Sequence, residues 1–157
     1  AEAEYNREKL HLTAYYTLSW NERRFEELWY DWYPDRNDNR HKLTLMANYR
    51  FSGRFDVYAG WNWHSGNRTT VEGYQSHQFG SPNNLSLPDY HRLDLGMNFR
   101  KTTRKGNESI WNVSVYNAYC RMNTIFANVQ YNDFETTKGI TYGIVPIIPS
   151  FSYTLKF

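Results

Sequence analysis

From Lys9 onward the chain alternates strictly for about 11 residues, roughly the length of a tilted membrane-crossing strand. Leu10, Leu12, Ala14, Tyr16, Leu18 and Trp20 interleave with His11, Thr13, Tyr15, Thr17 and Ser19. Side chains on a strand point to opposite faces with period two, so this spacing predicts a strand with one apolar and one polar face. The final residues repeat the pattern, with Phe151, Tyr153, Leu155 and Phe157 on one face and Ser150, Ser152, Thr154 and Lys156 on the other. Such a strand suits lipid on one side and water on the other, or the edge of a soluble sandwich.

The same alternation recurs along the chain. Ala1 to Asn6 reads as the end of a strand, with Arg7 and Glu8 as its turn. A second full strand carries Leu43, Leu45, Ala47, Tyr49 and Phe51 outward. Ser52, Gly53 and Arg54 form a hairpin turn in which glycine is expected to supply positive φ. A third strand carries Phe55, Val57, Ala59, Trp61 and Trp63, a fourth Leu93, Leu95, Met97 and Phe99, and a fifth Trp111, Val113 and Val115. Residues 140–157 read as a sixth strand, bent at Pro146 and Pro149, because proline cannot donate to a ladder. Residues 21–40, 65–88 and 117–138 read as long connections, the last with an ordered piece around Ile125 to Val129.

Long and short connections therefore alternate, which in an up-and-down meander gathers the long loops at one end. The inward faces hold Arg50, Asp56, His64, Arg92, Asp94, Arg100 and Lys156, too many charges for a dry core. A polar face in a wet lumen leaves lipid as the simplest neighbour of the apolar one. Aromatic residues near both strand ends, such as Phe55, Phe99 and Trp111 against Tyr16, Trp61 and Trp63, fit interfacial girdles. With 14 Tyr, 9 Phe and 6 Trp the chain has the aromatics that disordered chains lack. No apolar run approaches the ~20 residues of a membrane helix. A net charge of +2 on scattered basic residues argues against nucleic acid as a partner. Cys120, the single cysteine, allows neither an intrachain disulfide nor a thiolate cluster. Ala1 does not open a signal peptide, so an outer-membrane assignment expects a processed chain or a piece of a longer one.

Several segments, taken together and in order, resemble TonB-dependent outer-membrane receptors of Bacteroidetes-type bacteria. They are Trp32-Tyr33-Pro34, Asp38-Asn39-Arg40-His41, Gly66-Asn67, Leu87-Pro88-Asp89-Tyr90-His91-Arg92-Leu93-Asp94-Leu95, Val115-Tyr116-Asn117-Ala118-Tyr119 with Arg121-Met122-Asn123, and residues 145–153. The resemblance implies that residues 1–157 are the C-terminal part of a receptor barrel: an all-β, antiparallel, up-and-down transmembrane β-barrel meander, the last six strands plus the end of a seventh. It implies uptake of a scarce nutrient across the outer membrane, without a cofactor, resident metal or covalent chemistry. The family's plug domain and TonB box have no counterpart in these residues, so a fragment or one polypeptide of a split receptor is expected. The implied partners are outer-membrane lipid, the remainder of the barrel and its plug, the TonB complex through the N-terminal part, the barrel-assembly machinery and a surface lipoprotein. Phe151, Tyr153, Leu155 and Phe157 resemble the signal read by that assembly machinery.

In such receptors the ligand binds outer loops and the upper lumen. The loop residues Trp29, Tyr30, Trp32, Tyr33 and Arg36 are the first candidates, because aromatic faces stack on rings and arginine grips carboxylates. Bracing of the loop is their alternative role. Tyr74 and His77 are second candidates. His41, His64 and His91 lie near the long-loop end, but nothing in their spacing forces a metal site. No serine or cysteine stands in a nucleophile elbow, so catalysis is not expected. A standalone outer-membrane barrel with a structural or adhesive role, and a soluble lipocalin-like binding barrel, are the two alternatives.

Overall fold

The computed structural model describes residues 1–70, 80–103, 106–131, 137–143 and 145–157. Its described residues form strands and connections without a helix. In chain order the strands are β1 (Glu2–Arg7), β2 (Leu10–Leu18), β3 (Glu22–Arg23), β4 (Tyr33–Pro34), β5 (His41–Arg50), β6 (Phe55–His64), β7 (Arg68–Thr69), β8 (Leu85–Ser86), β9 (Tyr90–Thr102), β10 (Glu108–Tyr116), β11 (Thr124–Tyr131), β12 (Thr137–Gly143) and β13 (Ile148–Lys156). Seven of them make one antiparallel sheet in the order β1-β2-β5-β6-β9-β10-β13. Three small hairpins, β3–β4, β7–β8 and β11–β12, are built within the long connections.

Pairing keeps the two faces in register from edge to edge. Tyr5, Leu12, Ala47, Ala59, Leu95, Val115 and Pro149 form one continuous cross-strand row. The next row on the other face is Asn6, His11, Asn48, Tyr58, Gly96, Ser114 and Ser150. A one-residue slip anywhere would mix the two sets, so the alternating sequence itself specifies the register. The short turns follow Arg7, Arg50 and Thr102 and share one end of the sheet. The long connections follow Leu18, His64 and Tyr116 at the other.

No second layer covers the apolar face among the described residues. Tyr33 and Leu87 are the only buried hydrophobic residues there, and both belong to long connections. Leu45, Leu95, Trp111 and Phe151 all stand exposed on the sheet. Seven strands ~4.8 Å apart, with about eight residues each at ~3.3 Å, give a face of roughly 900 Å². That exceeds the few hundred Å² a soluble monomer usually leaves bare.

Aromatic side chains cluster at both ends of this face. At the short-turn end the rings of Tyr49 and Phe51 lie 4.7 Å apart, and those of Trp111 and Tyr153 4.6 Å apart. At the long-loop end Tyr16 and Tyr119 reach the histidines: Tyr16 Oη lies 2.7 Å from His41 Nδ1, and Tyr119 Oη 2.7 Å from His91 Nδ1.

Three local expectations change. The sixth strand is two: residues 137–143 pair with β11, and only 148–156 pair with β10. Val145 at φ 93° and the missing N–H of Pro146 interrupt the ladder between them. Pro149 sits inside β13 opposite Val115, which an edge strand tolerates. The first turn follows Arg7 and uses Glu8 at φ 41°. Gly53 is not in the left-handed region. Its turn is held instead by Ser52 Oγ, which accepts the Arg54 and Phe55 amides at 3.2 Å. A serine hydroxyl does there what positive φ was expected to do.

Candidate functional site

The polar face holds several of its charges in hydrogen-bonded networks. Near the short-turn end Asp56 is buried, accepting from Asn98 Nδ2 at 2.9 Å and paired with Arg100 from β9. Asn112 extends the network, donating to Asn98 Oδ1 at 2.8 Å and Tyr58 Oη at 3.1 Å. Registered neighbours on three strands thus satisfy a carboxylate that could not otherwise be withdrawn from water.

Toward the long-loop end a second network frames a cleft of about 230 Å³. Arg92 donates through Nε and Nη2 to Asp94 Oδ2 at 2.9 and 2.8 Å. Its Nη1 donates to the hydroxyls of Tyr90 and Tyr116, and the guanidinium lies 3.9 Å over the Tyr116 ring. His64 stacks parallel on Tyr90 with ring centroids 4.7 Å apart. The cleft therefore mixes polar groups with aromatic rings and the aliphatic side chains of Ile125 and Val145, and its arginine is paired with Asp94.

Asn117 and Asn123 build the floor of this corner. Asn117 is almost fully buried and adopts φ 55°, a conformation asparagine tolerates better than most residues. Its Nδ2 donates to the carbonyls of Arg121 and Val145 at 2.9 Å, while Oδ1 accepts the Arg121 amide at 3.1 Å. Its own N–H donates to Asp94 Oδ1 at 2.9 Å, tying the corner to the Arg92 network. Asn123 pairs with both backbone groups of His91, accepting at 3.1 Å and donating at 3.0 Å. Neither asparagine stands out by charge or periodicity; in the sequence their signal is membership of the resembling segments around Tyr116 and Arg121.

The long connections are tied together above the sheet. The Asp38 carboxylate is buried, accepts the Asn21 amide at 3.0 Å and lies 3.4 and 3.6 Å from Arg40 and Arg68. Asp35 is paired with Arg23 and caps the Asn37 amide. Asn39 Nδ2 donates to Ser65 O at 3.0 Å and Asn67 Oδ1 at 2.6 Å, joining the first long connection to the second. Asn83 Nδ2 to Pro34 O at 2.8 Å, and the Arg68 amide to Arg36 O at 2.9 Å, add two further ties.

The sequence candidates separate on this frame. Tyr33 is buried and packs the loop, which leaves it no face for a ligand. Tyr30 and Trp32 are exposed at the loop tip, with Trp29 half-buried against Tyr30 at 5.0 Å. Arg36 is exposed. Tyr74 and His77 lie outside the described residues. His41 and His91 fall on the apolar face and His64 on the polar one, so the three do not converge. Among the described residues no group of His, Cys, Asp and Glu is arranged to hold a metal ion. Phe151, Tyr153 and Leu155 are exposed on the edge strand β13, and Phe157, just beyond it, is exposed as well. No family model, curated protein or solved structure matches the chain.

Proposed function

We propose that this chain is part of the wall of an outer-membrane TonB-dependent transporter that takes up a scarce nutrient in a Gram-negative bacterium. The observation that carries the reading is the pairing of two faces on one sheet. A broad apolar face has no protein cover among the described residues, and the opposite face carries hydrogen-bonded charges. Lipid suits the first and a wet lumen the second. The motif resemblance extends the reading from a membrane wall to a receptor, with a plug domain, the TonB complex and the barrel-assembly machinery as partners, and with room for a surface lipoprotein.

In this role the residues do no covalent chemistry. The Arg92 cleft and the exposed loop tip at Tyr30 and Trp32 would face incoming ligand. The Asp56 and Arg92 networks would hold a polar lumen surface in which these charges are paired. A lipocalin-like soluble barrel needs an apolar interior, against the charges on the polar face.

Cysteine accessibility tests the assignment. Single cysteines at Leu45, Ala59 and Leu95, in a Cys120→Ser background, should resist a water-soluble maleimide in bilayers and react with a lipid-soluble one. Cysteines at Asn48, Asn62 and Asn98 should do the reverse. Equal labelling of both sets by the water-soluble reagent, or a folded monomer without amphiphile, would overturn the membrane reading.

A further inference from the structure

The short-turn end of the sheet is a rim of positive charge. Arg7, Lys9, Arg50, Arg54 and Lys101 are all exposed there, with Glu8 among them. Asp56 and Glu108 at this end are already taken by Arg100 and Lys156. Among the described residues none of the five cations makes an ion pair. At the long-loop end, by contrast, Arg23, Arg24, Arg40 and Arg68 each lie against a carboxylate. The Arg50 amide donates to Lys9 O at 2.8 Å, which sets these two residues on adjoining strands. Strands lie ~4.8 Å apart, inside the ~8 Å over which salt screens charge, so the two cations repel. An anionic surface relieves that repulsion.

The positions of two of these cations name the surface. On β1, Ala3, Tyr5 and Arg7 follow one another on the apolar face, and on β9 Met97, Phe99 and Lys101 do the same. Both columns run from apolar through aromatic to cation, the order a bilayer presents from acyl chain through interface to phosphate. The ring pairs Tyr49–Phe51 and Trp111–Tyr153 occupy the same aromatic tier. We infer that the short-turn rim docks anionic phospholipid headgroups, with Arg7 and Lys101 reaching the phosphates from the apolar face and Lys9 and Arg54 adding charge at the turns. The choice of lipid rests on the membrane-wall reading above. An acidic protein in the lumen would meet the polar face, where Arg50 alone of the five lies.

Magnitudes separate this contact from insertion itself. A lysine or arginine beside an anionic leaflet strengthens binding about fivefold. Arg7, Lys9, Arg54 and Lys101 against Glu8 leave three net positive charges, so an anionic leaflet should be preferred over a neutral one by roughly 100-fold. That preference is electrostatic and fades with salt, because exposed charges are screened. Burial of the apolar face is indifferent to headgroup charge and persists in salt. Lipid composition and ionic strength therefore read the two contributions independently.

The test dilutes the 157-residue chain from urea into vesicles of phosphatidylcholine, with and without phosphatidylglycerol, at low and high salt. Flotation reads bound protein, and retention through a high-salt wash reads insertion. We expect insertion into both vesicles, with a phosphatidylglycerol preference at low salt that shrinks at high salt. Arg7→Gln/Lys101→Gln should cut that preference about 20-fold, the product of two cations. Arg7→Lys/Lys101→Arg should keep it, and so should Arg24→Gln/Lys42→Gln near the long-loop end. Insertion into both vesicles with equal affinity would overturn the headgroup contact and leave the membrane wall intact. Equal losses in the two glutamine pairs, or in the charge-conserving pair, would overturn it as well. Salt-reversible binding to phosphatidylglycerol without insertion would sink the wall and keep the headgroup contact, and binding to neither vesicle would sink both.

Discussion

The ring of Tyr58 lies directly over the backbone of its cross-strand partner Gly96, where a Cβ on residue 96 would come within 2.2 Å of the tyrosine Cζ. The absent side chain of one strand is the seat for the aromatic ring of the next. Tyr58 Oη is held over that seat by Asn112 Nδ2 from the strand beyond, at 3.1 Å. Gly96→Ala should therefore displace the ring and cost about 1–3 kcal/mol, the range for overpacking a fitted contact. Tyr58→Ala should remove most of that penalty, giving a non-additive pair in urea-unfolding titrations in bilayers. Equal destabilisation by Gly96→Ala with and without Tyr58 would show that the contact is immaterial.

Asp56 and Arg100 supply a second test. Asp56→Ala leaves the guanidinium beside Asn98 without its counter-ion, and breaking a buried pair costs about 3–5 kcal/mol. Arg100 remains a third exposed, so the lower end of that range is expected. Removing both partners should cost less than removing Asp56 alone, because no unpaired charge is left. A double-mutant cycle read by unfolding midpoints measures the difference.

Asn117 joins left-handed backbone to a saturated side-chain amide. Asn117→Gly keeps the backbone conformation and loses the amide bonds, whereas Asn117→Ala loses both. Both variants should loosen the link between Asp94, Arg121 and Val145, with alanine worse by about 1 kcal/mol. The readout is faster amide exchange at Arg121 and Ala118, whose N–H groups are bonded in this corner.

Position on one face or the other should govern the cost of a charge. Ala59→Arg, in the middle of the apolar face, should destabilise the bilayer-folded chain by about 2–4 kcal/mol. Ser114→Arg, in the neighbouring row on the polar face, should cost less than 1 kcal/mol, as usual for a solvated substitution. Similar costs at both sites in bilayer-unfolding titrations would count against lipid on the apolar side.

The main sheet was legible in the sequence because the signal for it is redundant. Every long strand repeats the same apolar–polar alternation, and β6 runs from Phe55 to His64 as its alternation predicts. The break at Val145 was legible only as a bend at Pro146, because Thr141 and Tyr142 continue a strand-like composition up to it. The hairpin that captures residues 137–143 depends on pairing with β11, which lies nearby in sequence but off the main sheet. The candidate site was only partly legible. Charge and parity placed Arg92 and Asp94 on the polar face, whereas Asn117 and Asn123 act through backbone bonds that composition cannot disclose. Tyr33 shows the limit of reading loop aromatics: its neighbours Trp32 and Tyr30 are exposed, and only packing separates them.

The bonds from Asn39 to the second long connection have an evolutionary corollary. Two surface segments that share an amide cannot drift separately in length or course, since any change that withdraws Ser65 or Asn67 strands the Asn39 side chain in a buried position. If the chain serves the proposed receptor, new recognition properties would therefore arise more readily at the tip around Tyr30 and Trp32, which can be remodelled without disturbing its foundations.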